Sequence, residues 1–137
     1  CNEDPYVLRA LQAMGTGFDC ASASEIERVM ENGVSSDRII YANPTKQASH
    51  LRYAKSVGVT RMTFDNHDEL IKIAAVYPEA ELVIRVLVDD SYSVCKLGTK
   101  YGAPPSDTRR LLDSAKELGL NVVGVSFHVG SGCQSAC

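Results

Sequence analysis

Residues 124–133 carry the sequence GVSFHVGSGC, a strand pattern that leads directly into a turn of small residues. Apolar residues alternate there with Gly124, Ser126 and His128, which is the period of a β-strand. The small residues after His128 allow backbone N–H groups to approach an anion, and Ser131 adds a hydroxyl donor. A flat imidazole beside such a cradle suits a planar, phosphorylated ligand. The plainer alternative is a strand that ends in a flexible turn beside a half-buried histidine.

The same strand pattern recurs upstream at short and nearly even intervals, with an amphipathic helix between successive strands. Five strands are predicted, at residues 16–20, 38–42, 61–64, 81–88 and 122–129. Ser22 with Glu25, and Asn66 with Glu69, have the spacing of helix N-terminal caps. Thr45 is predicted to start the helix between the second and third strands. Residues 89–105 interrupt the rhythm and are predicted to form an extended loop, and loops of that length are usually functional or mobile.

Strands that alternate with helices at short spacing predict right-handed βαβ units and a parallel sheet. An open doubly wound sheet and a (β/α)8 TIM-type barrel both fit this pattern. The even spacing and the absence of a GxGxxG motif after the first strand favour the barrel. Five strands cannot close an eight-stranded barrel, so the expected fold is α/β with a partial barrel. We therefore expect the chain, which does not begin with Met, to be an internal piece of a longer protein.

The composition is that of a globular domain, with 45% hydrophobic and 23% charged residues. The formal net charge of -3 argues against a nucleic-acid surface. No apolar run reaches the roughly 18 residues of a membrane span. The five cysteines are an odd number and lack the spacing of a zinc site, so free thiols in the cytoplasm are expected.

In barrel enzymes, chemistry collects where strands end, and polar residues occupy several of those positions here. Asp65 and Asn43 are expected to be turn or cap residues. Asp19 lies between Phe18 and Cys20, where a buried carboxylate would need a partner. Arg85 lies in an otherwise apolar strand and also calls for an anionic partner. A functional site and a structural ion pair are equally good interpretations of Asp19 and Arg85.

Four stretches occur in an order that resembles a known family. They are residues 15–22 (GTGFDCAS), 39–47 (IIYANPTKQ), 62–65 (MTFD) and 124–133. Together they resemble the eukaryotic-type ornithine decarboxylases, which are pyridoxal-phosphate (PLP) enzymes of fold type III with an alanine-racemase-like barrel. The resemblance covers essentially the whole chain, residues 1–137, as part of the PLP-binding barrel, and implies a C-terminal β domain that these residues do not include.

The resemblance implies a role for each matching residue. His128 would stack on the pyridine ring of PLP, and Ser131, helped by backbone N–H groups of the turn, would donate to the cofactor phosphate. Asp19 and Arg85 would border the cofactor, with Glu25 a weaker candidate. The lysine that forms the Schiff base would precede Cys1, and the catalytic cysteine would lie beyond Cys137. The chain would therefore contain no catalytic residue, and alone it is expected to be inactive.

The activity implied by the resemblance is decarboxylation of L-ornithine to putrescine and CO2, the first step of polyamine biosynthesis. Two alternatives stay open: a non-catalytic homologue that binds the regulatory protein antizyme, and a sister decarboxylase acting on another basic amino acid. The family also implies a cytoplasmic homodimer. Antizyme would dock on residues 46–72 through a basic surface, for which an ordinary solvated helix face is the alternative. The basic residues of that segment are Lys46, Arg52, Lys55, Arg61 and Lys72.

Overall fold

The structure is a computed structural model that describes residues 2–135, so the expectations about Cys1 and Cys137 lie outside the described residues. Helices and strands alternate along the chain. The helices are α1 (Pro5–Ala13), α2 (Ala23–Glu31), α3 (Ala48–Ser56), α4 (His67–Val76) and α5 (Pro105–Glu117), and a short 3-10 helix covers Ser36–Arg38. The strands are β1 (Phe18–Cys20), β2 (Ile39–Tyr41), β3 (Arg61–Phe64), β4 (Glu81–Arg85), β5 (Ser93–Cys95), β6 (Asn121–Ser126) and β7 (Ser131–Cys133).

The main sheet has five parallel strands in the order β1-β2-β3-β4-β6. Neighbouring strands therefore follow one another in the order in which the chain forms them. A doubly wound sheet would instead reverse its strand order at a switch point. Sequential parallel strands with intervening helices are the arrangement of a (β/α)8 barrel, and the predicted partial barrel is confirmed. Strands β1 and β6 are the two edges of the sheet, so the barrel is not closed.

Two helices begin at the caps that the sequence predicts. The side-chain oxygen of Ser22 accepts a hydrogen bond from the Glu25 N–H at 3.2 Å, at the start of α2. The side-chain oxygen of Asn66 accepts one from the Glu69 N–H at 2.9 Å, at the start of α4. Each cap satisfies a backbone donor that has no partner within the helix, which fixes the first turn at that residue.

The predicted start of the third helix is wrong by three residues. Helix α3 begins at Ala48, not at Thr45, because side chains hold the preceding backbone outside the helix. The Thr45 N–H donates to the side-chain oxygen of Asn43 at 3.2 Å, and the Lys46 N–H donates to the carboxylate of Glu69 at 3.3 Å. An asparagine that bonds the backbone two residues later forms a turn, which here delays the helix.

Two strands end three residues earlier than the sequence predicts. Strand β4 ends at Arg85, not at residue 88, and β6 ends at Ser126, not at residue 129. Beyond Arg85 the chain pairs with Ala103 instead, since the Arg85 carbonyl accepts the Ala103 N–H and the Ala103 carbonyl accepts the Leu87 N–H, each at 2.8 Å. The residues after Arg85 are thus bound to the returning end of the following segment.

The prediction of an extended loop over residues 89–105 is wrong in its central part. Strand β5 lies within that segment and pairs in antiparallel fashion with β7, which follows the main sheet. Ser93 lies opposite Cys133, and Cys95 lies opposite Ser131. We call this pair of short strands the ribbon. Residues 131–133 therefore belong to a hydrogen-bonded element, so the alternative of a flexible turn is wrong for them.

The two faces of the main sheet differ in character. One face packs against the helices and carries the buried side chains of Tyr41, Met62, Phe64, Leu82 and Ile84. The opposite face carries Asp19, Thr63, Arg85 and Ser126, as the alternation along each strand and the strand register require. We call it the open face. Edge strand β6 differs from the others because its apolar side chains are exposed. Val123 and Val125 within the strand are 48% and 65% exposed, and Phe127 just after it is 63% exposed.

Within residues 2–135, no helix has the length and apolar character that crossing a membrane requires. The same residues contain no group of three or more His, Cys, Asp or Glu side chains that could hold a metal ion. Cys20, Cys95 and Cys133 are free thiols.

Candidate functional site

Four polar residues meet on the open face towards the ends of β1, β4 and β6. Asp19 lies in β1, Arg85 is the last residue of β4, and Ser126 is the last residue of β6. Arg85 and Ser126 are direct neighbours across the sheet. His128 follows two residues after Ser126. Because parallel strands end at the same edge, side chains far apart in sequence converge there.

Electrostatic coupling ties Asp19 to three other predicted site residues. The residue is exposed as a whole, but its carboxyl lies against protein atoms, and this partial burial raises the pKa of Asp19. The negative charge of Glu25 raises that pKa further, while His128, when it is protonated, and the guanidinium of Arg85 lower it. The sequence-based expectation that these four residues belong together is consistent with this coupling.

Glu25 makes two hydrogen bonds at the start of α2. Its backbone N–H donates to the side-chain oxygen of Ser22, and its carboxylate accepts a hydrogen bond from the Ala21 N–H. This arrangement holds the carboxylate beside the end of β1 and close to Asp19. Both acids line a groove of about 320 Å3 between α1, β1 and α2. The other residues that line this groove are Asn2, Glu3, Leu8, Cys20, Ala21, Arg28 and Val29.

Arg85 has an aromatic neighbour and no carboxylate partner among the described residues. Its guanidinium carbon lies 5.2 Å from the centre of the Tyr101 ring. No ion pair joins Arg85 to Asp19 within residues 2–135, so the structural ion pair that the sequence left open is wrong. A guanidinium that stacks on a ring keeps its donors available for an anion. Arg85 is thus free to contact an anionic ligand on the open face.

The imidazole of His128 is exposed, and one of its nitrogens is bound by the following turn. The Gly130 N–H donates to Nδ1 of His128 at 2.8 Å. An Nδ1 that accepts a hydrogen bond leaves Nε2 to carry the proton of the neutral ring. The bond fixes the ring orientation, and it also occupies the Gly130 N–H. The expectation that this N–H belongs to an anion cradle therefore fails in this conformation.

Ser131 lies in β7 and has an exposed side chain. Its backbone position is set by pairing with Cys95, and the flanking Gly130 and Gly132 have φ values of 87° and 68°. These are left-handed conformations that L side chains rarely adopt, so both positions require glycine. Among residues 2–135, no group of the protein bonds the Ser131 hydroxyl, which is available as a donor to a ligand.

The donor set on the open face suits a planar anionic cofactor. Ser131 offers a free hydroxyl, Arg85 a cation, and His128 a flat ring of fixed orientation. Within the described chain, the Ser126 hydroxyl is buried and has no hydrogen-bond partner, although it lies beside Arg85. Buried polar atoms are nearly always paired, so an orphaned one on this face indicates a place for a ligand or water. The residues present therefore fit pyridoxal phosphate.

The sequence pattern does not reveal the contact that holds the segment after β4 onto this site. One carboxylate oxygen of Asp65 accepts the Gly102 N–H at 2.8 Å, and the other accepts a hydrogen bond from the Asn66 side chain at 2.9 Å. Tyr101, which stacks on Arg85, immediately precedes Gly102. The sequence predicts only a turn or cap role for Asp65. Its position at the end of β3 was the available signal, but its partner is too distant in sequence to infer.

The expected basic surface over residues 46–72 needs correction. The side chain of Lys46 is fully buried, and its Nζ lies 3.0 Å from Glu69, 2.6 Å from the Thr63 carbonyl and 3.1 Å from the Asn43 carbonyl. Burial lowers the pKa of Lys46, while the charge of Glu69 opposes this change. Lys72 also pairs with Glu69. Lys46 therefore stabilises the fold from within and cannot contact a partner.

The remaining basic residues of that segment are at the surface. Lys55 pairs with Glu79 at 3.0 Å, and Arg61 pairs with Glu81 at 3.1 Å. Arg52 is exposed on α3 and makes no ion pair with any residue in the part of the chain that the structure describes. The surface that could present positive charge is consequently smaller than the sequence predicts, and Arg52 is its unneutralised member.

Comparisons with known proteins identify the family of the domain. All of residues 1–137 match the family model described as "Pyridoxal-dependent decarboxylase, pyridoxal binding domain". The ornithine decarboxylase of Schizosaccharomyces pombe is 57% identical over 132 residues, which are 96% of this chain and 31% of that protein. Antizyme inhibitor 2 of Xenopus laevis is 53% identical over 133 residues, which are 97% of this chain and 29% of that protein. The chain thus spans about three tenths of the length of these curated relatives.

Solved structures give the same result for the fold. The arginine decarboxylase of Paramecium bursaria Chlorella virus superimposes with a TM-score of 0.97 and is 42% identical in sequence. The match covers 98% of this chain and 36% of the viral enzyme. The sequential sheet described above therefore matches part of the fold of the viral enzyme.

Proposed function

The chain belongs to the pyridoxal-dependent decarboxylases and matches their pyridoxal-binding domain, and on that premise we propose that the full-length protein decarboxylates L-ornithine to putrescine and CO2. The observation that carries the proposal is the buried Ser126 hydroxyl, which has no hydrogen-bond partner among the described residues and lies beside Arg85 on the open face. Identity above 50% to ornithine decarboxylases supports the choice of substrate. The domain assignment of residues 1–137 as part of the barrel belongs to the same proposal.

Each polar side chain has a separate task in this proposal. His128, oriented by the Gly130 N–H, would hold the pyridine ring of the cofactor. Ser131 would donate its free hydroxyl to the cofactor phosphate. Arg85 would supply positive charge to the anionic cofactor, and Asp19 and Glu25 would border it. Pyridoxal phosphate supplies, when bound, the electron sink that cleavage of a bond at the α-carbon needs.

The protein's own contribution is orientation and electrostatics. The raised pKa of Asp19 allows that carboxyl to hold a proton at a higher pH than an ordinary aspartate. The guanidinium of Arg85 stacks on the Tyr101 ring and has no carboxylate partner among the described residues, so its donors are available to a ligand. Asp19 and Arg85 form no ion pair with each other, which supports a role for both in ligand binding.

The experiment is a product assay on the full-length protein. Purified protein would be supplied with pyridoxal phosphate and L-ornithine, and with L-arginine and L-lysine as matched alternatives. We expect stoichiometric CO2 and putrescine from ornithine, at a kcat/KM at least about tenfold above the other two substrates. Preferred release of agmatine or cadaverine would show that the preferred substrate is L-arginine or L-lysine and not L-ornithine. No CO2 from any of the three would overturn the assignment as an enzyme.

The alternative of a non-catalytic antizyme-binding homologue makes a different prediction. Such a protein would bind antizyme and release no CO2. The similarity to antizyme inhibitor 2 is the reason to include antizyme in the assay. Retention of Asp19, Arg85, His128 and Ser131 supports the enzyme over this alternative.

A homodimer, antizyme binding through the exposed part of residues 46–72 and a cytoplasmic location complete the proposal. The free thiols of Cys20, Cys95 and Cys133 suit a reducing compartment. Oligomeric state is measurable by sedimentation of the full-length protein, and antizyme binding by calorimetric titration.

A further inference from the structure

The ribbon attaches the segment after β4 to the part of the chain that carries His128 and Ser131. Ser93 and Cys95 pair with Cys133 and Ser131. Beyond the ribbon, the Gln134 N–H donates to the Tyr92 carbonyl at 3.0 Å. The position of the residues around Ser131 therefore depends on residues that lie almost 40 positions earlier.

Ser93 makes the closest contact in this attachment. It is 7% exposed, whereas the other residues of the ribbon are exposed. Its hydroxyl donates to the Val129 carbonyl. A Cβ on Gly130 would lie 2.7 Å from the Ser93 Cβ and 2.6 Å from the Cys95 carbonyl oxygen. Ser93 therefore fits against the backbone at Gly130 with no room for a side chain there.

The Val129 carbonyl that Ser93 binds belongs to the peptide whose nitrogen is the Gly130 N–H. That N–H is the donor to Nδ1 of His128. A hydrogen bond to the carbonyl of a peptide restrains the whole planar unit, including its N–H. Ser93 thus restrains the donor that orients the His128 ring, although its side chain makes no hydrogen bond to His128 or Ser131.

The backbone of Ser93 is itself held firmly. Its N–H donates to the Asp90 carbonyl at 3.0 Å. The Asp90 carboxylate accepts the Leu97 and Gly98 N–H groups, each at 2.7 Å, and these bonds lower the pKa of Asp90. The segment around Ser93 is therefore a closed turn whose bonds converge on Asp90, which makes it a stable support for the Val129 peptide.

We propose that Ser93 is a positioning residue for cofactor binding: through its hydrogen bond to the Val129 carbonyl it holds the Gly130 N–H on His128 and sets Ser131 beside the cofactor phosphate. This inference rests on the proposed function, because it assigns His128 and Ser131 to pyridoxal phosphate. The segment after β4 thereby contributes to positioning the residues that bind the cofactor.

The test compares Ser93→Ala with Ser91→Ala in the full-length apoprotein. Ser91 is exposed in the same segment, and within residues 2–135 its hydrogen bonds go to Asp89. Affinity for pyridoxal phosphate and for pyridoxal, which lacks the phosphate, would be measured by equilibrium dialysis. For Ser93→Ala we expect about fivefold weaker binding of pyridoxal phosphate and a smaller change for pyridoxal, as loss of one hydrogen bond implies. Ser91→Ala should leave both affinities unchanged.

A second readout does not need the cofactor. Hydrogen exchange of the Gly130 and Ser131 amides, followed by mass spectrometry of the apoprotein, should accelerate about tenfold in Ser93→Ala and not in Ser91→Ala. A merely structural role would weaken pyridoxal phosphate and pyridoxal equally, which would overturn the proposal. Unchanged affinity together with unchanged exchange would overturn it as well. If the unsubstituted protein binds pyridoxal phosphate and releases no CO2, the proposed function fails, while the affinity ratio still decides the role of Ser93.

Discussion

The Asp65 carboxylate accepts a hydrogen bond from the Gly102 N–H at 2.8 Å, across 37 positions of sequence. Gly102 has a φ of 108°, and a Cβ there would lie 2.9 Å from the Leu87 Cα. The bond between Asp65 and Gly102 thus holds the segment after β4 against the sheet, at a point where the backbone of Gly102 packs against the backbone of Leu87. Because Tyr101 precedes Gly102 and stacks on Arg85, this bond also determines where the aromatic ring lies relative to the guanidinium.

Removing the Asp65 carboxylate should loosen this closure. For Asp65→Ala we expect a loss of about 1–2 kcal/mol in the free energy of unfolding of the full-length protein, since the Gly102 N–H loses its acceptor. Asp65→Asn retains an oxygen that can accept and should lose less. Urea unfolding followed by circular dichroism measures both. Equal stability of Asp65→Ala and the unsubstituted protein would show that solvent replaces the bond without cost.

Lys46 should be among the most sensitive basic residues of the fold. Lys46→Ala leaves Glu69 buried with Lys72 as its remaining cation, and breaking such a pair costs about 3–5 kcal/mol. Arg52→Ala is the matched control, because Arg52 is exposed and unpaired among residues 2–135, and it should change stability by less than about 0.5 kcal/mol. Thermal and urea unfolding of the full-length variants would compare them. Similar free energies of unfolding for Lys46→Ala and Arg52→Ala would contradict a stabilising role of the buried Lys46–Glu69 pair.

Antizyme binding, if it uses this region, should depend on Arg52 and not on Lys46. Arg52→Glu in the full-length protein is expected to weaken antizyme binding about tenfold, chiefly through slower association, because it reverses an exposed charge. Lys72→Glu is a poor test, since it would place a second carboxylate beside Glu69 and destabilise the fold. Surface plasmon resonance at two salt concentrations gives the rates. Unchanged association for Arg52→Glu would remove α3 from the docking surface.

The Cys20 thiol should resist alkylation. Burial, with added effects of Glu25 and Asp19, raises the pKa of Cys20 from 9.0 to about 12, and the thiolate is the reactive form. At about pH 8, iodoacetamide should modify the exposed Cys95 much faster than Cys20, as peptide mass mapping would show. Rapid modification of Cys20 in the folded protein would contradict its burial.

The same raised pKa predicts how stability changes at alkaline pH. The unfolded chain loses the Cys20 proton near pH 9.0, whereas the folded chain keeps it until about pH 12. Stability linked to Cys20 is therefore complete below pH 9.0 and is lost as the pH rises through that window. Cys20→Ala should flatten this part of the profile in urea titrations. An unchanged slope would assign the alkaline loss to other groups, such as Tyr41, whose pKa burial also raises to about 12.

His128 should matter to the cofactor more than to the fold. His128→Ala in the full-length protein is expected to weaken pyridoxal phosphate binding about tenfold and to lower kcat. The reason is that the pyridine ring of the cofactor loses the imidazole that holds it. His67→Ala, at the exposed start of α4, is the control and should change neither. Equilibrium dialysis and steady-state rates provide the comparison. Unchanged values for His128→Ala would leave His128 with a structural role only.

The sequence was sufficient for features whose causes are local. Ser22 and Asn66 define the starts of α2 and α4 because a cap and its helix are only three residues apart. The strand-helix alternation was equally readable, since the periods of 2.0 and 3.6 need no knowledge of tertiary contacts. For the site, the ends of β1, β4 and β6 identified Asp19, Arg85 and His128 as neighbours on one face.

Features that depend on distant partners could not be read in this way. The ribbon consists of two three-residue strands rich in small residues, so neither has a strand signal without the other. The burial of Lys46 depends on Glu69, which arrives from α4, and a lysine alone is normally predicted to be exposed. Asp65 was identified as polar, but its acceptor role required Gly102 to return to the end of β3.

The exposed apolar row on β6 affects how a polypeptide of these residues behaves at high concentration. Val123, Val125 and Phe127 lie beside an unpaired backbone edge, so the same surface offers both hydrogen-bonding groups and apolar area. Two copies can satisfy it by aligning their β6 edges, which is the first step of sheet-type aggregation. Chaperones that recognise short apolar segments have an obvious target in this row. Expression yield and solubility should therefore respond more strongly to substitutions at Val125 than to changes anywhere on α5.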